Sequence, residues 1–155
     1  MKRIATLCLA VLLLSLCFVG CSTSPKTFTA EGMSITLTNR FSKLSYAGFT
    51  AVYGASDVAV FALKEEFTLV GDYTLDEYAA LVIDVNGLEG VTASTKDGLT
   101  SFLYERENDG VNYTYFATVH KTQDAFWLIQ FAVESKDYAK KEADILEYAK
   151  SISFS

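Results

Sequence analysis

Apolar and polar residues alternate through much of this chain, and the period changes to helical spacing in two segments. Residues 33–38 have an apolar side chain at every second position, which is typical of a strand with one buried face. Two more strands are predicted at 49–53 and 58–64. Turn-forming residues at 54–57 lie between them and predict a β-hairpin.

The first helical segment begins at Thr74. Thr74 and Glu77 have the spacing of a capping box, in which each side chain bonds the other residue's backbone amide. Apolar residues then recur at helical spacing, at Tyr78, Leu81, Val82 and Val85. Asn86 and Gly87 provide a C-terminal stop signal, so a helix ending there is predicted.

A meander of four strands is predicted next, at 91–96, 99–106, 111–121 and 125–133. Turn signals separate them, namely Asp97-Gly98, Asn108-Asp109-Gly110 and the weaker Thr122-Gln123-Asp124. The last strand is apolar on both faces apart from Gln130. It should therefore lie at the centre of the sheet, covered by helices on both sides or by a long loop on one.

The second helical segment covers residues 136–150, with Ser135 as its expected N-cap and one apolar side. Residues 151–154 then return to an extended pattern and predict a short edge strand. These elements together predict an α+β fold with a mainly antiparallel sheet and two main helices.

The N-terminal segment has the organisation of an export signal. Lys2 and Arg3 precede an apolar run from residue 4 to residue 19. An uncleaved spanning helix is one alternative, although the run is at the short end of the roughly 17–25 residues required. An ordinary secretory signal is another. The residues ahead of Cys21, Phe18-Val19-Gly20, resemble the lipobox of bacterial lipoproteins.

This resemblance implies that the Cys21 thiol is joined to a diacylglycerol and that the chain is cut just before it. The expected organisation is a signal peptide at 1–20, a lipidated cysteine and short tether at 21–27, and one domain at 28–155. Cys8 and Cys17 leave with the signal, so no thiol remains for catalysis. The expected location is the extracytoplasmic side of a cell membrane or outer membrane. Ser22 permits outer-membrane sorting in a host with two membranes, and the sequence leaves the envelope type open.

The charge of the chain excludes one class of partner. The formal net charge is −6, and loss of Lys2 and Arg3 with the signal makes it more negative. Binding to a phosphate backbone needs a basic stripe, and broad adhesion to anionic lipid needs a basic patch. We therefore expect no nucleic-acid partner, and contact with the membrane only through the lipid anchor.

The order of elements resembles the PsbP-like superfamily, which includes DcrB-type bacterial lipoproteins. The residues that carry the resemblance are Ser34-Ile35-Thr36-Leu37, the capped helix at 75–78, Tyr113-Thr114-Tyr115, Ala125-Phe126-Trp127-Leu128-Ile129 and the end of the chain at 149–154. The resemblance implies an α/β/α sandwich around an antiparallel sheet. It brings no catalytic, metal or partner site, because members of this fold mostly serve as accessory or binding proteins and fold alone does not assign function.

Three places in the sequence carry residue types that could take part in catalysis or metal binding. His120 is the only histidine, and a solvent-facing position near a turn is expected for it. Residues 84–89 match only part of a calcium loop and fit a helix C-cap better. Glu105 and Glu107 share a strand face near Asp109, where solvated hairpin ends explain them. No catalytic residue, metal site or cofactor is predicted.

Aromatic residues are the remaining candidate for function. Tyr104, Tyr113 and Tyr115 come together across one predicted hairpin. Cross-strand aromatic pairs stabilise sheets, and an exposed pair also makes a recognition patch for protein or glycan. The function predicted from the sequence is a membrane-anchored, non-enzymatic binding or accessory module. The alternatives are a lipid or glycan carrier with a pocket between sheet and helix, and a hydrolase using Glu105 and Glu107.

Overall fold

The computed structural model describes residues 23–155. The expected signal peptide and the lipidation site at Cys21 lie outside these residues. Within them, no helix has both the length and the apolar character needed to cross a bilayer.

A seven-stranded antiparallel sheet forms the centre of the domain. Its strands, in chain order, are β3 (Ser42–Leu44), β4 (Ala51–Gly54), β5 (Ala59–Glu66), β6 (Ser94–Lys96), β7 (Leu99–Asn108), β8 (Val111–Lys121) and β9 (Ala125–Glu134). Their order across the sheet is β3-β4-β5-β9-β8-β7-β6, with neighbouring strands antiparallel. Strand β9 is therefore central, as its two apolar faces predicted.

A second, three-stranded sheet has the order β1-β2-β10. Its strands are β1 (Pro25–Ala30), β2 (Met33–Thr38) and β10 (Ser153–Phe154), the last being the short edge strand predicted at the C-terminus. The helices are α1 (Phe67–Val70), α2 (Leu75–Val85) and α3 (Tyr138–Lys150), and Ser135–Asp137 forms a 3-10 turn before α3.

The two faces of the large sheet have different covers. On one face, Ile145 and Tyr148 of α3 and Ile35 of the small sheet join Trp127 and Ile129 in one core. On the other face, buried residues of α2 pack on the sheet in a second core, which comprises Tyr78, Ala79, Val82, Phe102, Ala117, Val119, Phe126 and Leu128. The fold is thus an α+β sandwich with helices on both sides of an antiparallel sheet.

The predicted local signals at the helix and at two hairpins are confirmed. The Thr74 amide donates to Glu77 Oε2 at 2.8 Å, and the Glu77 amide donates to Thr74 Oγ1 at 3.3 Å. The β6–β7 and β7–β8 turns place Asp97-Gly98 and Asp109-Gly110 at positive φ, the conformation that tight hairpins require. The sequence therefore determines these connections locally.

Four details differ from the sequence-based expectations. Strand β1 begins at Pro25, so residues 25–27 are in a strand and not in a tether. The strand expected at 91–96 is only Ser94–Lys96. Ser135 does not cap α3, because it begins the 3-10 turn and Asp137 is at the N-cap position; the Ser135 hydroxyl lies 2.8 Å from Thr114 Oγ1 instead. His120 is half-buried, because Phe154 of β10 covers its ring at a centroid distance of 5.3 Å.

Candidate functional site

Helix α2 covers only part of its face of the large sheet. Its buried residues pack on Phe102, Ala117 and Val119, towards one end of β7 and β8. Further along the same face, the register places Tyr104, Tyr115 and Ala132 side by side on three adjacent strands. We call the surface formed by Tyr104, Tyr113, Tyr115, Gln130 and Ala132 the tyrosine face. Its three tyrosines and Gln130 are half-buried, and Ala132 is buried.

The tyrosine face is held in a fixed geometry. The rings of Tyr104 and Tyr115 are parallel within 5°, and their centroids are 4.9 Å apart. The Tyr104 hydroxyl donates a hydrogen bond to Gln130 Oε1. The guanidinium carbon of Arg106 lies 5.7 Å from the centre of the Tyr104 ring, and Arg106 also donates to the Asn86 carbonyl at 2.8 Å. Arg106 thereby joins the tyrosine face to the C-terminal end of α2.

The phenol groups of Tyr104 and Tyr115 stay neutral well above physiological pH, because burial raises the pKa of each. Burial raises the pKa of Tyr104 to about 12, and the positive charge of Arg106 only partly offsets that rise. Burial likewise raises the pKa of Tyr115. The surface is therefore aromatic and hydrogen-bonding, with the charge of Arg106 at its side.

A shallow cleft of about 300 Å³ runs beside the tyrosines. Tyr113, Tyr115 and Ala132 form one wall, and Phe61 and the turn between β4 and β5 form the other. Phe49, from the loop before β4, packs on Phe61 with ring centroids 5.1 Å apart. A small ring or a side chain of a partner fits a cleft of this size.

The other candidates from the sequence do not lie on this face. Glu105 alternates with Tyr104 on β7, so it is on the opposite face, where its carboxylate accepts from Thr114 Oγ1 at 3.2 Å. Residues 84–89 form the end of α2 and the loop after it. Among residues 23–155, no three His, Cys, Asp or Glu side chains are grouped as metal ligands.

His120 has one polar neighbour and an apolar cover. Its Nε2 lies 3.1 Å from Thr118 Oγ1, and Trp127 is directly opposite it on β9. Burial lowers the pKa of His120 to about 4. The imidazole is therefore uncharged at neutral pH and is part of the packing under β10.

The pocket that the sequence suggested between sheet and helix also exists in a small form. A cleft of about 260 Å³ lies between α2 and strands β5 and β9, lined by Tyr78, Val82, Leu63 and Leu128. The Tyr78 hydroxyl donates to Glu65 at 2.5 Å, and burial followed by this bond raises the pKa of Tyr78. This volume is below the roughly 300–1,000 Å³ of most small-molecule sites.

The spacing of the tyrosines did not predict that three other residues belong to this region. Gln130 interrupts the apolar residues between Phe126 and Ala132 on its side of β9, and the pairing register was needed to place it beneath Tyr104. Arg106 alternates onto the same face of β7 as Tyr104. Phe61 is opposite Gln130 on β5. The polar interruption at Gln130 was the signal that could have located the site.

Comparison of the sequence with protein-family models gives no match, and comparison with curated proteins gives none either. Solved structures do match. Cyanobacterial PsbP (CyanoP) from Synechocystis sp. is 14% identical with a TM-score of 0.58, over 89% of this chain and 96% of that one.

Two further structures share the architecture. Mog1p, a Ran-binding protein of Saccharomyces cerevisiae, is 12% identical with a TM-score of 0.56, over 86% of this chain and 96% of its own. LpqN of Mycobacterium tuberculosis, which is involved in cell envelope biogenesis, is 12% identical with a TM-score of 0.53, over 88% of this chain and 87% of its own. The chain thus has a PsbP-like fold, and at these identities the likeness concerns the fold alone.

Proposed function

We propose that this chain is a lipid-anchored binding or accessory module of a bacterial cell envelope and that the tyrosine face is its contact surface. The observation that carries the proposal is the incomplete cover of the large sheet. Helix α2 leaves Tyr104, Tyr113 and Tyr115 half-buried and adjacent at a surface, whereas α3 and the second sheet cover the centre of the opposite face and leave Leu103 of β7 exposed.

The chemistry of the tyrosine face suits recognition. Tyrosine and arginine are enriched among the residues that dominate binding energy, because they combine a large apolar area with hydrogen-bonding groups. Stacking and the bond to Gln130 fix the Tyr104 ring before a partner arrives, which reduces the entropy lost on binding. A cell-envelope protein or glycan is the proposed class of partner. A PsbP-like fold in LpqN, with its role in cell envelope biogenesis, supports this choice.

The anchor is the second part of the proposal. The segment ahead of Cys21 resembles a lipobox, and the described domain begins within a few residues of it. Two or more acyl chains hold a soluble domain stably at a membrane, since each buried CH₂ contributes about 0.8 kcal/mol. The expected site is the cell membrane or the outer membrane, facing away from the cytoplasm. Intact-mass measurement should find a chain that starts at Cys21 and carries a diacylglycerol. A full-length chain with a free Cys21 thiol contradicts the anchor.

The contact surface is tested by replacing two tyrosines. Tyr113→Ser with Tyr115→Ser should abolish crosslinking of the full-length protein to its envelope partner in intact cells. The matched control is Leu103→Ser, because Leu103 is an exposed apolar residue on the opposite face of β7. Loss of stacking on Tyr104 should cost about 1 kcal/mol and leave the domain folded. A folded double variant that crosslinks like the wild type rules the surface out.

The carrier alternative depends on the cleft of about 260 Å³ between α2 and the sheet. A lipid or glycan carrier there would need α2, which carries Tyr78, to move away from Leu128 of the sheet, and both residues are buried in one core. The tyrosine face needs no such movement. We therefore propose the binding module first.

We also propose that the chain is not an enzyme. The hydrolase hypothesis rests on Glu105 and Glu107, which share one face of β7. Glu105 is hydrogen-bonded to Thr114 there, on the side of the sheet away from the tyrosine face and its cleft. Glu105→Gln should consequently leave partner crosslinking unchanged.

A further inference from the structure

The outer side of α2 and the loop after it enclose a larger cleft of about 500 Å³. Its wall is apolar and comprises Ala80, Ile83, Leu88, Val91 and Ala93. The volume is within the range of small-molecule sites. It is separate from the tyrosine face, because none of its lining residues belongs to that face; Ile83, Leu88, Val91 and Ala93 also pack against the second core.

The end of α2 shapes this cleft. Gly87 has a φ of +62°, which a glycine adopts without strain. Its amide donates to the Asp84 carbonyl at 2.9 Å, and the Leu88 amide donates to the Ile83 carbonyl at 3.0 Å. These two bonds form a Schellman motif, which turns Leu88 back against Ile83. The backbone of the helix end therefore positions the part of the apolar wall formed by Ile83 and Leu88.

The rim of the cleft is acidic. Asp76, Asp84 and Glu89 line it, and no Lys, Arg or His does. Within residues 23–155, none of these three carboxylates takes part in an ion pair. The last turn of α2 also lacks a basic residue, so the negative end of the helix dipole adds to the charge of Asp84. Arg106 bonds the Asn86 carbonyl nearby but does not line the cleft.

We propose that this acid-rimmed cleft binds an organic cation with an apolar body, that is, an alkyl or aryl group attached to an ammonium. The apolar wall takes the hydrocarbon part, and the carboxylates hold the ammonium at the rim. An apolar wall alone would accept neutral and anionic molecules of similar size. The three carboxylates select against anions, because a like charge at the rim is repelled.

The probe pair is 4-phenylbutylammonium and 4-phenylbutyrate, which share a hydrocarbon body and differ in the sign of their charge at pH 7. Each is titrated into the full-length, methyl-labelled protein in detergent micelles. Binding is read from the NMR shifts of the Ile83, Leu88 and Val91 methyls. Because these methyls report on the cleft, probe that partitions into the detergent is not counted as bound. The cation should bind saturably and about ten-fold more tightly than the anion, since each exposed charge pair contributes about two- to five-fold.

Two variants and one control separate the contribution of the charge from that of the apolar wall. Asp84→Asn should weaken binding of the cation about two- to five-fold, whereas Glu142→Gln on α3 removes one exposed charge on the far side of the sheet and should leave it unchanged. Ala80→Trp fills the cleft from an exposed helix position and should abolish the shifts. No saturable shift, equal binding of the two probes, or an equal effect of Asp84→Asn and Glu142→Gln overturns the proposal. None of these outcomes bears on the tyrosine face.

Discussion

The rings of Tyr104 and Tyr115 lie parallel on adjacent strands, 4.9 Å apart between centroids and 5° apart in plane. They are directly opposite each other in the β7–β8 register. A parallel pair at this distance holds both rings in one orientation on the sheet. The tyrosine face is therefore a preformed surface rather than a set of independent side chains.

The stacking energy is measurable by a double-mutant cycle. Tyr104→Leu and Tyr115→Leu should show a coupling energy of about 0.5–1.5 kcal/mol in urea unfolding, because each single change removes the same ring contact. Additive effects of the two substitutions would show that the rings contribute only by burial.

The capping box of α2 gives a second prediction. Thr74→Ala should lower the free energy of unfolding by about 1 kcal/mol, because the Glu77 amide loses its acceptor. Thr74→Ser keeps a hydroxyl at this position and should retain most of the stability. An alanine variant as stable as the wild type in urea unfolding would show that the cap is dispensable.

Removal of the side-chain hydroxyl should change the stability in opposite directions at two buried tyrosines. Within the described residues, the Tyr53 hydroxyl is buried without a hydrogen-bond partner, whereas that of Tyr78 donates to Glu65. Tyr53→Phe should leave thermal stability unchanged or raise it, by up to about 1 kcal/mol. Tyr78→Phe should cost roughly 1–3 kcal/mol, because a bond to a carboxylate is lost. The reverse order of melting temperatures contradicts these assignments.

His120 should make stability depend on pH. The folded pKa of about 4 is below the ordinary value of 6.5, so between these values the unfolded chain takes up a proton that the folded chain refuses. The free energy of unfolding should therefore fall as pH drops from 6.5 to 4, by roughly 2–3 kcal/mol, and the contribution of His120 should stop changing below pH 4, where both states are protonated.

Two measurements test this pH dependence: the NMR titration of the His120 resonances and the unfolding of a His120 variant. His120 is the only histidine, so its imidazole signals report one pKa without ambiguity. The free energy of unfolding of His120→Gln is measured in urea at pH 7 and pH 4.5. Its change between these pH values is the contribution of the carboxylates, and it is subtracted from the change in the wild type. An NMR pKa above 6 contradicts the burial of this ring.

Local signals in the sequence were sufficient for several elements of the fold. The hydroxyl of Thr74, the glycines after Asp97 and Asp109, and the two-faced apolar pattern of β9 each act within a few residues or one strand. The central position of β9 followed because a strand apolar on both faces must be covered on both.

Long-range pairing accounts for what the sequence did not reveal. Strand β1 is mostly exposed, and its hairpin turns at Glu31-Gly32, which is a weaker turn signal than Asp-Gly. His120 is covered by Phe154, which reaches it only because β10 pairs with β2 in the smaller sheet. The spacing of the tyrosines predicted that they share a face. It did not predict that α2 covers only part of the sheet and leaves this face at the surface.

Site-specific photo-crosslinking tests the proposed contact surface most directly. A benzophenone amino acid is placed at Tyr113 or at Leu103, on opposite faces of the sheet, and the full-length protein is irradiated in its native membrane. The account predicts a discrete adduct to one envelope protein or glycan from position 113 and none from position 103. Equal labelling from both positions, or an adduct from position 103 alone, would contradict it.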